Sequence, residues 1–382
     1  MKKIGIITIN DYKNYGNRLQ NYASQEVLKS LGCKVETIIN TPMKENKRSQ
    51  LSVVNCLKKA SKMSQGELIK KVVLKIKNTR MRKSNKESIE LKIKAFKQFT
   101  RDNIVETPFE ITKDNIPSDL ADQYDYFVVG SDQVWNPTFR KGSPIDFLTF
   151  VPVHKRLAYA PSFGISEIPT GFVKNYRKWI SEMAHLSVRE QAGANIIKKL
   201  TGRDAVVLVD PTMMLSKEKW LSVSKSMVKK PQNKYLLTYF LGEVSKVNDK
   251  KISHIASENK LEIINLASMK DRARYDADPG EFIDYINSAS VFLTDSFHGV
   301  VFSILLEKPF IIFDRSEKNH SMNSRIDTLL SIFNLQSRKL ENIVGKDDIF
   351  DIDYSHVSLI LEAERNKAFN YLKNALNIKS RF

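Results

Sequence analysis

The sequence has little of what marks disulfide-rich, zinc-binding or membrane-spanning proteins. Its 382 residues include two cysteines, Cys33 and Cys56, which lie in different segments and form no Cys-x-x-Cys pair. A disulfide framework and a cysteine-based metal site are therefore not indicated, and we expect both cysteines to be packing residues. No apolar run reaches the roughly 18 residues that a membrane-spanning helix needs.

The amino-terminal stretch also lacks the length of a secretion signal. "MKKIGIITIN" has a basic start but only a short apolar run before Asn10. Such a run fits a first β-strand better than the apolar region of a signal peptide, so we expect a cytoplasmic protein. The content of 42% hydrophobic and 27% charged residues is typical of a globular protein. The length is sufficient for two α/β domains, each with its own core.

Most of the positive charge lies in one segment. The formal net charge is +18, and residues 44–101 contain eighteen Lys or Arg against four Glu, a local net charge of +14. Only Phe96 and Phe99 are aromatic there, so nucleic acid is not favoured as a partner. The lysine face and apolar stripe of "ELIKKVVLKIK" suit peripheral contact with an anionic membrane at the inner membrane face. They equally suit a helical arm packed on the fold with its charged face in solvent.

Strand and helix patterns alternate along the rest of the chain. The first forty residues predict a strand, a helix from about Arg18 to Leu31 and a second strand. The polar stretch "SKSMVKKPQNK" predicts a linker, after which the alternation resumes. We therefore predict an α/β protein with two Rossmann-like doubly wound domains facing a cleft, at 1–225, with 44–101 as an insertion, and at 226–382. A last helix, His356 to about Leu376, is expected to pack back across the boundary.

The stretch "TDSFHGVVFS" predicts a functional strand-to-helix junction. His298 follows the predicted strand end and lies beside the unpaired N–H groups of the next helix, an arrangement that binds anions and adds a proton donor. Gly299 would let a ligand approach the backbone, and Ser296 could cap the helix or bind an oxygen. The alternative is that Ser296 is only a cap and His298 a half-buried packing residue.

Four ordered motifs resemble the polysaccharide pyruvyl transferase family. They are "GIITINDYKNYGNRLQNYASQEVLKSLG", "YFVVGSDQVWNP", "LSVREQAGANIIKKLTG" with the following "VLVDPTMML", and "TDSFHGVVFSILLEKPFI". The resemblance implies a two-domain fold of the glycosyltransferase-B type. It also implies transfer of pyruvate from phosphoenolpyruvate, the donor substrate, to a sugar of a polysaccharide or its lipid-linked precursor, usually as a cyclic ketal. No cofactor and no metal are expected.

The resemblance also assigns roles on the donor side. Phosphoenolpyruvate needs cations or helix amides for its phosphate and carboxylate, and an acid for its methylene carbon. The family's histidine at this motif is implicated as catalytic, which points to His298. Arg189 ends a predicted strand and would bind the donor, although pairing with Glu190 or Asp210 is an alternative. Arg325 is a second candidate donor ligand, with a surface position as the alternative. Asp210, before a proline, is more often a turn-forming carboxylate.

The acceptor side is predicted in the first domain. Gly16 and Asn17 lie in the loop after the first strand, where amides can bind sugar hydroxyls. Asn17 departs from the acidic residue common at this position in the family, which weakens any role as a base. The segment "GSDQVWNP" offers polar groups, an aromatic platform and, in Asp132, an acceptor for a hydroxyl proton. A rigid turn with its tryptophan in the core is an equal alternative. Its candidate residues are Ser131, Asp132, Gln133, Trp135 and Asn136.

Two other function classes stay open at this point. The first is a metal-independent glycosyltransferase of the same architecture that uses a nucleotide sugar, although we find no glycine-rich phosphate loop in the sequence. The second is a non-catalytic scaffold or membrane-associated binding protein. Phosphate release from phosphoenolpyruvate with a sugar acceptor distinguishes the transferase from both.

Overall fold

The structure is a computed structural model that describes residues 1–41, 85–315, 323–345 and 347–378. The predicted helix in "ELIKKVVLKIK" and Cys56 therefore lie outside the described residues. The strands are β1 (Lys3–Ile7), β2 (Lys34–Thr41), β3 (Glu106–Thr112), β4 (Tyr126–Val129), β5 (Arg156–Ala158), β6 (Ser187–Val188), β7 (Val206–Val207), β8 (Tyr235–Tyr239), β9 (Glu262–Asn265), β10 (Val291–Thr294) and β11 (Phe310–Ile312).

Helices cover the sheets and connect most of the strands. They are α1 (Tyr15–Ser30), α2 (85–103), α3 (Pro137–Arg140), α4 (Thr170–Ser181), α5 (Gln191–Thr201), α6 (Lys217–Val223), α7 (Lys246–Glu258), α8 (Pro279–Ser288), α9 (Phe297–Leu305), α10 (Ser324–Phe333) and α11 (Val357–Ala375). Among the described residues, none of these helices is both long and apolar enough to cross a bilayer.

Two parallel sheets organise the chain into two halves. The first half has five strands in the order β3-β2-β1-β4-β5, and the second half has four in the order β11-β10-β8-β9. All of the pairings within both sheets are parallel. The prediction of two Rossmann-like doubly wound units facing a cleft is therefore confirmed.

The start of α1 shows how local chemistry sets an element boundary. The helix begins at Tyr15, three residues before the predicted start at Arg18, so Gly16 and Asn17 lie in its first turn and not in the preceding loop as predicted. The side chain of Asn14 accepts a hydrogen bond from the backbone N–H of Asn17 at 3.2 Å. An asparagine cap supplies one of the acceptors that the first turn lacks, so the helix extends back to it.

The two halves are joined by buried aromatic packing at the amino end of α1. The ring of Tyr15 stacks on Phe282 of α8 with centroids 4.4 Å apart and meets the edge of Tyr239 at 5.4 Å. Its hydroxyl donates to the carbonyl of Ala277 at 2.9 Å. Aromatic pairs of this kind stabilise a contact by about 0.5–1.5 kcal/mol each beyond the burial of their area. The seam between the halves is thus a packed interface at this point.

The last helix, α11, lies against the first half. Arg365 donates to the carbonyls of Met213 and Leu215 at 2.7 and 2.6 Å, and Tyr371 donates to the carbonyl of Ala158 at 2.7 Å. The carboxyl-terminal part of the chain therefore returns to the first half and connects the two halves through these hydrogen bonds.

Candidate functional site

The strand order of each sheet places four loops around one cleft. In the first sheet the chain passes from β1 to β2 on one side and from β4 to β5 on the other side. In the second sheet it likewise passes from β8 to β9 and from β10 to β11 in opposite directions. The carboxyl ends of such strand pairs open a crevice, which is where α/β proteins bind ligands. The cleft has a volume of about 380 Å³. The first half lines it with Asp11, Asn14, Asn17, Asp132, Gln133 and Phe139, and the second half with Leu241 and Arg315.

His298 lies at the seam between the two halves, behind this cleft. It is the second residue of α9, and the residue is 6% exposed. A Cβ atom added to Gly16 of α1 would lie only 2.0 Å from His298 Nδ1, so the ring packs directly on the backbone of the other half. Its Nε2 is 3.7 Å from Asp210 Oδ2 and has no hydrogen-bond partner among the described residues. The imidazole therefore faces the interdomain contact and not the core of its own half.

Asp210 is the hub of the buried polar cluster. Its Oδ2 accepts from Arg189 Nη1 at 2.7 Å and from Ser131 Oγ at 2.8 Å, while Oδ1 accepts from the backbone and hydroxyl of Thr212. Burial would raise the pKa of this carboxyl, but the nearby His298 and Arg189 hold it well below its usual range. Asp210 therefore forms the turn that the sequence predicts, and its carboxylate also orients the side chains of Arg189 and Ser131.

Arg189 keeps donors available although it is paired. The residue is 3% exposed, and its Nη1 is bound to Asp210, which is one of the alternatives that the sequence left open. Its Nε and Nη2 have no hydrogen-bond partner among the described residues, and Nη2 lies 3.7 Å from Asp132 Oδ1. Burial lowers the pKa of Arg189, but the carboxylates of Asp210 and Asp132 outweigh it and raise the pKa above the ordinary value. The guanidinium also lies over the ring of Phe297, 4.2 Å from its centroid.

Asp132 connects this cluster to the cleft. One carboxylate oxygen accepts from Asn17 Nδ2 at 3.3 Å, and the other from the backbone N–H of Gln133 at 2.8 Å. Burial would raise the pKa of Asp132, but Arg189 and then His298 lower it below the ordinary value. The backbone of Asp132 has a φ of 63°, a left-handed conformation that aspartate tolerates better than most residues.

Arg325 belongs to the same buried group. It is the second residue of α10 and is buried, so the surface alternative does not hold. Burial, together with the neighbouring guanidinium of Arg189, lowers the pKa of Arg325 to about 10. Glu190 moderates this effect, and its Oε1 accepts from Ser162 Oγ and from the backbone N–H groups of 163 and 164. Two arginines and a histidine thus lie near two carboxylates, at the junction of the halves.

Four of the predicted ligand contacts need correction. The Trp135 ring is fully buried, stacks on Phe147 at 5.2 Å and donates to the carbonyl of Asp146, so it is a core residue and not a sugar platform. Asn136 caps α3 through the N–H of Thr138. Ser131 is buried on Asp210, away from the cleft.

The fourth correction concerns Gly299 in the His298 motif. A Cβ atom there would lie 2.8 Å from Thr294 Oγ1 and 3.1 Å from the ring of Phe292. Close packing of α9 on β10 therefore explains the glycine, and not the approach of a ligand. Ser296 caps α9 by accepting from the N–H of Gly299 at 3.3 Å, as one alternative expected.

Phe139 and Arg315 are among the cleft residues that the sequence interpretation missed. Phe139 of α3 is 53% exposed and lines the cleft, so it offers the exposed ring that one of the two alternatives assigns to Trp135. Arg315 also lines the cleft, and its Nε donates to Asp295 at 3.0 Å. No local sequence pattern marks either residue as part of the cleft. Among the described residues, no group of three His, Cys, Asp or Glu could hold a metal ion.

Comparisons with known proteins agree with the sequence motifs. A family model described as polysaccharide pyruvyl transferase matches residues 14–317. No curated protein matches the chain by sequence.

Solved structures that align over nearly the whole chain have low sequence identity. S. aureus MnaA with UDP is 12% identical, with 100% of this chain and 98% of that chain covered and a TM-score of 0.48. The UDP-GlcNAc 2-epimerase of Methanocaldococcus jannaschii, with UDP-GlcNAc and UDP, is 12% identical, with 99% and 100% covered and a TM-score of 0.46. Anabaena Alr3699/HepE, with UDP and glucose, is 11% identical, with 99% and 100% covered and a TM-score of 0.45. At these values, no function is transferred from any of them.

Proposed function

The chain belongs to the polysaccharide pyruvyl transferase family, and we propose that it transfers pyruvate from phosphoenolpyruvate to two hydroxyls of a sugar, forming a ketal and releasing phosphate. One observation supports this proposal most directly. Arg189 Nε and Nη2 are buried donors and His298 Nε2 is a buried ring nitrogen at the seam, and none of the three has a hydrogen-bond partner among the described residues. Buried donors normally have partners, so a site of this kind suits an anionic ligand.

The charges around the seam suit the two anionic groups of phosphoenolpyruvate. Arg189 and Arg325 are buried there, Arg315 lines the cleft, and Asp132 of the cleft lining lies 3.7 Å from Arg189 Nη2. Guanidinium groups bind carboxylate and phosphate in a bidentate manner. In the proposed complex Arg189 and Arg325 hold the donor, with Arg315 as an added cation on the cleft side.

His298 is the proposed general acid and Asp132 the proposed base. Proton transfer from His298 to the methylene carbon makes the central carbon of the enol phosphate electrophilic. A sugar hydroxyl attacks that carbon while Asp132 accepts its proton. Phosphate then leaves with its bonding electron pair and takes the proton of the second hydroxyl, whose oxygen closes the ring. Asp210 touches no substrate in this scheme and positions His298 and Arg189 instead.

The acceptor sugar is proposed to lie in the cleft. Asn17, Gln133 and Asp132 offer an amide donor, an amide and a carboxylate to its hydroxyls, and Phe139 offers an exposed ring to its apolar face. A lipid-linked acceptor and a peripheral contact of segment 44–101 with an anionic membrane form part of the same proposal. That contact is supported by the local net charge of +14.

Phosphate release from phosphoenolpyruvate in the presence of candidate acceptors tests the proposal. We expect the His298→Ala variant to lose turnover by a factor of about a hundred or more, the range for a lost general acid. His254→Ala is the matched control, because His254 is an exposed histidine on α7. Turnover by His298→Ala at the wild-type rate would remove His298 from its proposed role, and the absence of phosphate release with every acceptor would contradict the reaction.

A further inference from the structure

A second cavity, of about 570 Å³, lies in the second half of the chain and is lined by none of the residues assigned so far to the transfer. Its lining comes from the ends of β8 and β9, the loops that follow them and the first two turns of α7. The carboxyl edge of a parallel sheet is where ligands bind, and small-molecule sites have volumes of about 300–1,000 Å³. Position and size both fit a binding site.

One loop separates this cavity from the cleft. Leu241 lines the cleft, while its neighbours Phe240 and Gly242 line the cavity. The backbone N–H groups of Leu241 and Gly242 donate to the carboxylate of Asp295 at 2.7 and 2.9 Å, which holds the loop in place. The residues that line the cleft and the cavity are therefore neighbours in the chain, and consecutive Cα atoms are only about 3.8 Å apart. At this separation a ligand longer than one sugar ring could reach from the cleft into the cavity.

The lining combines an apolar part with hydrogen-bonding groups. Phe240, Ile252 and Ile263 supply the apolar part, and the ring of Phe240 is held by Phe313 at 5.4 Å. Asn265 is oriented by Thr238, whose hydroxyl donates to its Oδ1 at 2.8 Å. A pyranose ring has an apolar face and a polar edge, which is the same combination.

The charges of the lining disfavour an anionic ligand. Its charged residues are Glu243, Asp249 and Lys270, and Lys270 Nζ is bound to Asp249 at 3.0 Å. The lining thus has a surplus carboxylate, and its one ammonium is already paired. A diphosphate placed here would meet like charge, whereas a neutral polyhydroxylated ligand would not.

We propose that this cavity binds a neutral sugar residue of the acceptor, next to the sugar that lies in the cleft. The acceptor is then an oligosaccharide of at least two residues that crosses the loop at Leu241. The inference rests on the proposed function, because it takes the sugar in the cleft as the pyruvylated one.

Binding without phosphoenolpyruvate tests this inference separately from turnover. Saturation-transfer NMR on the full chain would use neutral disaccharides of glucose, galactose, mannose and N-acetylglucosamine, their monosaccharides, and UDP. The first variant is Ser253→Trp, which fills the cavity from α7. The matched control is Ser257→Trp, an exposed serine one turn further along α7 that does not line the cavity. A second cavity variant, Asn265→Ala, removes the amide without adding bulk.

We expect at least one disaccharide to bind about tenfold more tightly than its monosaccharides, a difference of about 1.4 kcal/mol. Ser253→Trp and Asn265→Ala should reduce this advantage, while Ser257→Trp should keep it. Equal affinity for mono- and disaccharides, no saccharide binding by the wild type, or unchanged binding by both cavity variants would each overturn the inference. Binding of UDP that Ser253→Trp abolishes would also overturn it. Since phosphate release is measured apart, a failed transferase assay with disaccharide binding retained would contradict only the proposed function.

Discussion

The substitution Gly16→Ala tests the contact between α1 and His298, because it adds one methyl group at that contact. Gly16 is the second residue of α1, and a Cβ atom there would lie 2.0, 2.4 and 2.8 Å from Nδ1, Cγ and Cε1 of His298. Non-bonded heavy atoms rest at about 3.5 Å or more, so the ring would have to retreat by about 1.5 Å. The close atoms belong to a buried ring, which cannot swing into solvent as the tip of a lysine could.

Two opposing effects on stability decide the expected sign for Gly16→Ala. Alanine in place of glycine inside a helix stabilises by about 0.5–1 kcal/mol. Overpacking a filled site costs about 1–3 kcal/mol. We therefore expect the free energy of unfolding to fall by about 1–2 kcal/mol. Displacement of a catalytic group by 1 Å can cost about a hundredfold in rate, so kcat should fall by at least that factor.

Gly171→Ala is the matched control. Gly171 is likewise the second residue of a helix, α4, but no atom lies within 4 Å of an added Cβ. This variant should keep wild-type phosphate release, with unchanged or slightly raised stability. Urea unfolding and phosphate release would be measured for both variants. If Gly16→Ala were as active as wild type and at least as stable, the proposed contact between α1 and His298 would be wrong.

Three further perturbations address other parts of the structure. Asp210→Asn should lower the free energy of unfolding by about 3–5 kcal/mol in urea titrations, because Arg189 loses its buried charged partner. A loss below about 1 kcal/mol would contradict the role of Asp210 as the hub of the buried polar cluster. Phe139→Ala should raise the acceptor KM several-fold with unchanged stability, and Phe139→Tyr should restore it; an unchanged KM in initial-rate assays would exclude the ring as a sugar contact. Lys92 is 4% exposed among aromatic rings, and burial lowers its pKa to about 8. Between about pH 8 and 10, Lys92 is therefore more fully protonated in the unfolded chain than in the folded protein. The free energy of unfolding of the wild type should rise with pH over this range relative to that of Lys92→Met, and a difference that stays constant would refute the prediction.

Elements with strong local patterns could be predicted from the sequence. The apolar spacing after Asp278 predicts a helix near Pro279 to Ser288, which agrees with α8, and the predicted last helix, His356 to about Leu376, differs from α11 by one residue at each end. Both have apolar residues at helical spacing, and α8 also has a capping box at Asp278 and Glu281. Such signals act within one or two turns, so they do not depend on the rest of the fold.

The site could be predicted only in part. The resemblance to the family points to His298 and Arg189. Cationic side chains at strand and helix ends also suit an anionic substrate, which adds Arg325 to the candidates. Their mutual arrangement depends on contacts between positions more than one hundred residues apart, such as the packing of His298 on Gly16. No local pattern indicates that Trp135 is buried while Phe139 is exposed, because both are aromatic residues in the same short segment.

By itself the amino-acid sequence determined the alternation of strands and helices, the concentration of positive charge in 44–101 and the family motifs. These properties depend on neighbouring residues and on side-chain chemistry. Only the tertiary structure decided which loops meet at the cleft, that Asp210 joins Ser131 and Arg189, and that the exposed ring is Phe139. The physical reason is that burial and pairing energies depend on distances across the seam, and those distances exist only after both sheets have formed and packed together.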